Sequence, residues 1–307
     1  MTDPGRPAAR PPARPRAGDP LAYLSLVGAV LIWGGSHLAI RVALDSFTPL
    51  ALAMVRLILA AACLAFYARW AGETLVVPRR DVLPLLGLGV VSHTIFQFLV
   101  NAALLFTTPA HAALMVSTMP TFAALAARGL LGERVTPRRA GAILMAFVGV
   151  AIVILWSGQG LATARHPVLG DLLALGTSAA WAMGSVLSKP FLGRYSALKF
   201  SAVTLAGGAL SALPFGAAAV ARTSWQSVTG AGWLMLLYLT VGSIALANSL
   251  WNRGIAGVEV SRAAIFSNLI PVTTLVLSAL LLGERITLAL VGGGALVVFG
   301  TYLTQRT

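Results

Sequence analysis

The sequence predicts an all-α polytopic membrane protein with ten transmembrane helices arranged as two inverted five-helix repeats. Three observations predict it. Of the 307 residues, 58% are hydrophobic and 10% charged, with a mean hydropathy of +0.86, against roughly 25% charged in an ordinary soluble domain. The apolar residues form successive runs near the length of about 20 residues that one spanning helix needs. The chain also repeats itself, and each copy holds an odd number of these runs. Together these exclude a soluble enzyme, a disordered chain and a secreted disulfide scaffold. The single cysteine, Cys63, excludes an internal disulfide and a multi-cysteine metal site.

In chain order, residues 1–20 are a tail of Pro, Arg, Ala and Gly that cannot bury a core, expected to be disordered. The apolar run after it is a full span long, so it reads as an uncleaved helix rather than a signal peptide. Apolar segments then fall near residues 22–41, 50–70, 82–104, 110–130, 138–157, 168–188, 197–221, 230–252, 261–282 and 287–303. Backbone groups in lipid must be satisfied within the segment, which makes these segments helices. Continuous apolar runs do not fit the alternating strands of a membrane barrel.

The basic residues set an orientation. With the amino terminus inside, seventeen of the 22 Lys and Arg residues fall on the tail and inner loops, four on the outer ends (Arg41, Arg165, Arg222, Arg285), and Arg56 within the second span. Inner loops rich in Lys and Arg are the rule for such proteins. The net charge of +13 is therefore a topology signal compatible with anionic headgroups, and no nucleic-acid partner is needed. The expected location is the plasma membrane, of bacterial inner-membrane type, with both termini cytoplasmic.

The two halves align at one constant offset: Asn101 with Asn252, Pro120 with Pro271, Gly132-Glu133-Arg134 with Gly283-Glu284-Arg285, Gly141 with Gly292, Gly149 with Gly300. At a slightly smaller offset Trp33 meets Trp181, Arg41 meets Lys189 and Arg56 meets Thr204. Five helices per copy invert the second relative to the first, an arrangement that places a substrate site near the midplane between the halves. The expected units are residues 21–160 and 165–305.

The chain resembles the drug/metabolite transporter superfamily in its ten-helix EamA-type branch. The resemblance is carried by Trp33-Gly34-Gly35-Ser36, by Pro49 followed by Arg56, and by the stretch from Pro120 through Gly132-Glu133-Arg134 to Gly149 with its copy from Pro271 through Gly283-Glu284-Arg285 to Gly300. It spans about residues 20–305. It implies export or exchange of small metabolites, amino acids among them, with the aromatic amino-acid exporters as one branch. It fixes no substrate.

Polar residues within spans are the candidate site, because each costs free energy unless paired. The competing reading for each is a helix–helix hydrogen bond. His93, Gln97 and Asn101 share one face of the third span, with Ile244, Asn248 and Asn252 as their counterparts. Asn101 and Asn252 suit packing between halves, whereas His93 breaks the symmetry. Trp33, His37 and Arg41 form a similar stripe in the first span, answered by Trp181, Ser185 and Lys189. Pro120 and Pro271 free the carbonyls of Val116 and Ser267 beside Ser117 and Asn268. The candidate substrate-binding residues are His93, Gln97, Trp33, His37, Trp181, Asn248, Trp251 and Asn268. Arg56 can hold a substrate carboxylate or serve structure, with Asp45 as a possible partner. The Gly-Glu-Arg turns read as scaffold. Gly141, Gly149, Gly292 and Gly300 read as close-packing positions.

All nine acidic residues fall in tails, loops or helix ends, which removes an obvious carboxylate proton relay and leaves His37 and His93 as the mid-span groups titrating near neutrality. Without a Walker A or HExxH motif, no catalytic, metal or cofactor site is expected. Nor is an obligate protein partner evident. The function expected is secondary transport of a small molecule by alternating access. A membrane-embedded lipid-modifying enzyme or assembly factor is the alternative, and a channel a third, though the spans are too apolar to line a wide pore.

Overall fold

The computed structural model describes residues 20–132, 135–156, 166–192, 194–247, 250–251, 253–254 and 266–306. Among these, ordered structure is helical throughout. The helices are α1 (Pro20–Ala43), α2 (Pro49–Trp70), α3 (Arg79–Phe106), α4 (Pro109–Leu130), α5 (Pro137–Trp156), α6 (Pro167–Leu192), α7 (Ala197–Ala221), α8 (Gly230–Leu237, continued by Tyr238–Leu246), α9 (Leu269–Leu282) and α10 (Leu288–Arg306). Seven of the described helices are long and apolar enough to cross a membrane, and α8 and α9 are shorter apolar helices. Asn248, Asn252, Glu133 and Arg134 lie outside the described residues, as does the tail through residue 19.

Helix starts follow local chemistry. Thr48 and Thr108 accept bonds from Ala51 and His111 backbone N–H groups, and Pro49 and Pro109 occupy the first turn, where a missing N–H costs nothing. The tails of α4 and α9 end at Gly132 and Gly283, with φ of 67° and 65°. Those left-handed caps suit glycine, so the duplicated Gly-Glu-Arg turn begins as a helix stop.

Two helices change pitch at equivalent places. Val90–Ile95 in α3 and Tyr238–Leu246 in α8 are π-helical, a wide turn that often accompanies functional sites. The sequence reading did not foresee it. The break in α4 falls between Val116 and Met119, where Pro120 removes a helical donor. Ser178 of α6 repairs it, donating to the carbonyls of Met115 at 2.9 Å and Val116 at 3.2 Å. The freed Val116 carbonyl was expected; its partner was not.

The packing obeys a pseudo-twofold relation. α5 packs on α10 and α2 on α7, each on its own counterpart. α1 packs on α8 and α9, and α6 correspondingly on α3 and α4. α1 and α6 are thus embedded in the opposite half. α1 and α8 run in opposite senses: the start of α1 meets Gly254, whereas Ser46 just past its end bonds Thr229 before α8 at 3.1 Å. We call the end where α1 begins the near end and the other the far end. Large apolar side chains such as Phe66 (75% exposed) and Leu280 (75%) face outward, as a lipid-contacting surface requires.

Small residues let these helices approach. A Cβ on Gly149 would lie 2.5 Å from the Gly293 carbonyl oxygen, and one on Gly300 would lie 2.6 Å from the Ala146 nitrogen. Gly141 and Gly292, expected to share this role, have nothing within 4 Å of that position; both are exposed, on a face turned away from the partner helix. Close approach maximises dispersion where no hydrophobic force drives helices together. Gly149→Val is therefore expected to lower stability by about 1–3 kcal/mol, with Gly141→Ala near neutral, both read as thermal unfolding midpoints in detergent.

Candidate functional site

The polar residues of α1, α2, α3 and α7 converge at mid-bundle. Arg56 of α2, 4% exposed, donates from Nη1 to Gln97 Oε1 of α3 at 3.1 Å. Its Nε is buried without a partner. His37 of α1, 8% exposed, lies within electrostatic reach of Arg56 and has a buried, unpartnered Nδ1. One turn of α3 before Gln97, His93 Nε2 shares a 3.3 Å hydrogen bond with the Thr204 hydroxyl of α7. Arg56 does not pair with Asp45, which instead bonds Arg41 at 3.1 Å on the exposed far end. Arg56 points inward because it sits on the α2 face beside the buried Ala53, Leu57 and Ala60.

Next to this cluster is an aromatic one. Trp33, one turn before His37, lies 5.3 Å from Trp251, tilted by 48°. Its indole N–H donates to the Ser243 carbonyl in the π-helical part of α8 at 3.1 Å. Ser36 bonds the Ser243 hydroxyl at 3.0 Å. Tyr238 donates to the Ile32 carbonyl at 2.6 Å.

The remaining candidates are spread out. Trp181 is 41% exposed. It falls on the arc of α6 between Ser178, which bonds α4, and Gly184, which abuts Ser92 of α3. Asn268 immediately precedes α9, 8% exposed, and makes no capping bond. Asn101 is fully buried and donates to the Pro49 carbonyl at 3.1 Å. The structure thus brings together Trp33, His37, His93, Gln97 and Trp251 through direct contacts or shared helix faces; Trp181 and Asn268 stand apart, and Asn248 is outside the described residues.

Two cavities flank the cluster without reaching it. One of about 820 Å³ opens at the far end between α2, α3 and α7, bounded by Pro49, Phe98 and Arg222. A smaller one of about 270 Å³ lies toward the near end, bounded by Pro120, Arg139, Ser185 and Lys189. None of the seven described candidates lines either. The polar chemistry sits with the buried cluster, closed in this conformation.

Sequence reasoning missed two buried groups. Asp171 and His111 are 1% and 2% exposed although each sits in the first turns of its helix. Asp171 lies near a helix end, as expected, yet it is buried there, and the imidazole of His111 is buried with it. The available signal was an aspartate four residues after Pro167 within an otherwise apolar run.

At the near end, Asp81 at the start of α3 accepts from Arg194 Nη1 at 3.1 Å through both oxygens and from the Tyr195 hydroxyl. These contacts join the halves.

The fold and site define a multi-pass membrane transporter with a closed polar centre between two structurally related halves. The sequence profile of the EamA-like transporter family matches residues 20–155 and 168–306, and the chain belongs to that family. It is similar to a "probable terminal-alkyne amino-acid exporter" of Streptantibioticus cattleyicolor, at 29% identity over 93% of each chain. It is also similar to a "probable amino-acid metabolite efflux pump" of Escherichia coli, at 28% identity over 89% of this chain and 91% of that one. A crystal structure with 24% identity covers 93% of this chain and 96% of its own with a TM-score of 0.63, which shows a shared fold. Family and relatives are transporters, so the enzyme alternative is set aside.

The Asp81 contact carries a pH signature. Its hydrogen bond, with burial second, raises the Tyr195 hydroxyl above its ordinary value near 10. A raised folded-state value gives stability that is present below about pH 10 and lost as pH rises through the folded value. Tyr195→Phe is expected to flatten the alkaline fall of the unfolding midpoint and leave the neutral-pH profile unaltered in shape.

Proposed function

We propose that this protein exports or exchanges amino acids or closely related carboxylate metabolites by alternating access, with Arg56 as the anchor for the substrate carboxylate. One observation carries the reading. Arg56 is 4% exposed, bonded to a neutral amide, and has an unpartnered Nε. A lone cation deep in a membrane protein costs on the order of 3 kcal/mol even on insertion scales, so its retention calls for an anion that arrives. A carboxylate suits a guanidinium fork through charge-assisted, bidentate bonds. The imidazole of His37 beside it offers a second contact.

The aromatic pair Trp33–Trp251 adjoins the cluster along α1 and supplies a face on which a planar side chain can stack, which favours aromatic amino acids within the class. The names of the two relatives support amino-acid cargo. At the far end Phe47, Trp225 and Trp233 pack together, the two tryptophans stacked at 5.8 Å. Rocking the halves about the α2–α7 and α5–α10 pairs would open one end while shutting the other. In this reading the near end faces the cytoplasm of a bacterial inner membrane, following the basic loops.

A transport screen in liposomes tests the proposal. Amino acids should move, and their amides, lacking the carboxylate, should move more slowly. Arg56→Gln should slow amino-acid movement roughly ten- to hundredfold, the loss of one charged hydrogen bond of about 1.5–3 kcal/mol, and bring amino acid and amide to similar rates. An unchanged ratio in the variant would remove Arg56 from the site. Well-inserted protein that moved no amino acid would end the proposal.

A further inference from the structure

Helices α3 and α7 run parallel, touch toward the near end and part toward the far end. A Cβ on Gly89 would lie 2.7 Å from the Gly208 nitrogen, so backbone meets backbone there. Further along, the Thr94 hydroxyl still reaches the Gly208 carbonyl at 2.8 Å. One turn on, Phe98 and Phe215 meet edge to face, 6.1 Å between ring centroids. At Ala102 and Ala219 a cavity of about 820 Å³ lies between the two helices, with the start of α2 as its third wall. The parting begins at the π-helical turn Val90–Ile95. Up to that turn α3 packs on α7, and beyond it α3 packs on α6.

We propose that this wedge holds an anionic phospholipid, its phosphate at Arg222 and its chains against Leu50, Phe98 and Leu99. The mouth of the wedge carries the complement of a phosphate. Arg222 caps the end of α7, and its guanidinium has no hydrogen-bond or ion-pair partner among the described residues. The Thr48 hydroxyl accepts the Ala51 N–H and keeps its own hydrogen to donate. The Ser224 hydroxyl likewise has no partner among the described residues. Arg222, Thr48 and Ser224 all line the cavity. A guanidinium with hydroxyl donors beside it suits phosphate oxygens. The lining holds one cation and no carboxylate, which favours a headgroup of net negative charge.

The level of the site points to lipid rather than to a soluble anion. Leu210 and Phe215 of α7 face outward at 60% and 62% exposure, at the depth of the chains. Arg222 stands two turns beyond Phe215 along the same helix. Trp225 follows Ser224 in the turn that forms the mouth and stacks on Trp233 at 5.8 Å. Tryptophan gathers where chains give way to headgroups. Cargo of the central cluster fits less well. Pro49 of the wall is tied to Asn101 at 3.1 Å, and neither Arg56 nor Gln97 lines the cavity. A lipid here fills the space that the short side chains of Ala102 and Ala219 leave. It thereby supports α3 in the position from which Gln97 reaches Arg56. The lipid site does not rest on the amino-acid reading above.

Native mass spectrometry of the full chain, stripped of lipid in detergent, tests the proposal. Dioleoyl-phosphatidylglycerol should be retained about fivefold more tightly than dioleoyl-phosphatidylcholine, the weight of one interfacial cation. Arg222→Gln should remove that preference, whereas Arg306→Gln at the near end should leave it. Ala102→Trp should fill the wedge and weaken retention of both lipids. Should that variant not fold, Ala219→Leu on the opposite wall is read in its place. Phosphatidylglycerol with a photoreactive chain should label α3 between Phe98 and Ala102. Equal retention of the two lipids, a preference that survives Arg222→Gln, or label confined to other helices overturns the proposal. So does displacement of the lipid by free glycerophosphate, which would make this a site for soluble anions. Displacement by an amino acid overturns it too, by making the wedge part of the cargo path. Because transport is not the readout, failure of the lipid site and failure of the amino-acid reading are separate results.

Discussion

A backbone N–H or carbonyl buried in lipid must be satisfied by the protein itself, and the rest of this structure depends on how that constraint is met. An unbroken helix meets it alone. This chain interrupts its helices at symmetry-related places and repairs them from the opposite half. Ser178 of α6 serves carbonyls at the α4 break. Thr274 of α9 donates to the Gly34 carbonyl of α1 at 2.7 Å. Trp33 of α1 donates to the Ser243 carbonyl of α8, and Thr94 of α3 to that of Gly208 in α7 at 2.8 Å. Side chain to backbone bonds thus stitch the halves together, and the irregular turns line the shared centre.

The same stitching explains why the centre is polar. A π turn or a proline break opens a helix on one side, and the side chains nearby must be able to hydrogen-bond. Serine, threonine, tryptophan and tyrosine do this at little cost. Arg56 is different. No backbone group needs it, and one amide is its sole described hydrogen-bond partner. On the reading proposed above its burial serves binding, whereas Asn101 on Pro49 makes a helix–helix bond.

The two ends of the bundle are closed by unlike chemistry. The far end combines stacked aromatics with the His111–Asp171 pair, the near end an arginine and a tyrosine on Asp81. An inverted repeat makes the halves alike in backbone, while the two ends carry different side chains. The side chains supply this difference on a symmetric frame.

Much of the frame was legible in the sequence alone. The all-helical frame and the repeat follow from apolar runs and the matched positions Pro120 and Pro271, because lipid leaves a helix no alternative. Gly149 and Gly300 were readable as contact points, since only small residues let helices touch, but Gly141 and Gly292 were not distinguishable from them. Which polar residues meet was decided by tertiary structure. Gln97 finds Arg56 from 41 residues away and His111 finds Asp171 from 60. Asp171 looked like an ordinary helix-end carboxylate because its burial comes from α3 and α4, which the local sequence does not mention. A helix reports its own face and period; what it faces is a property of packing.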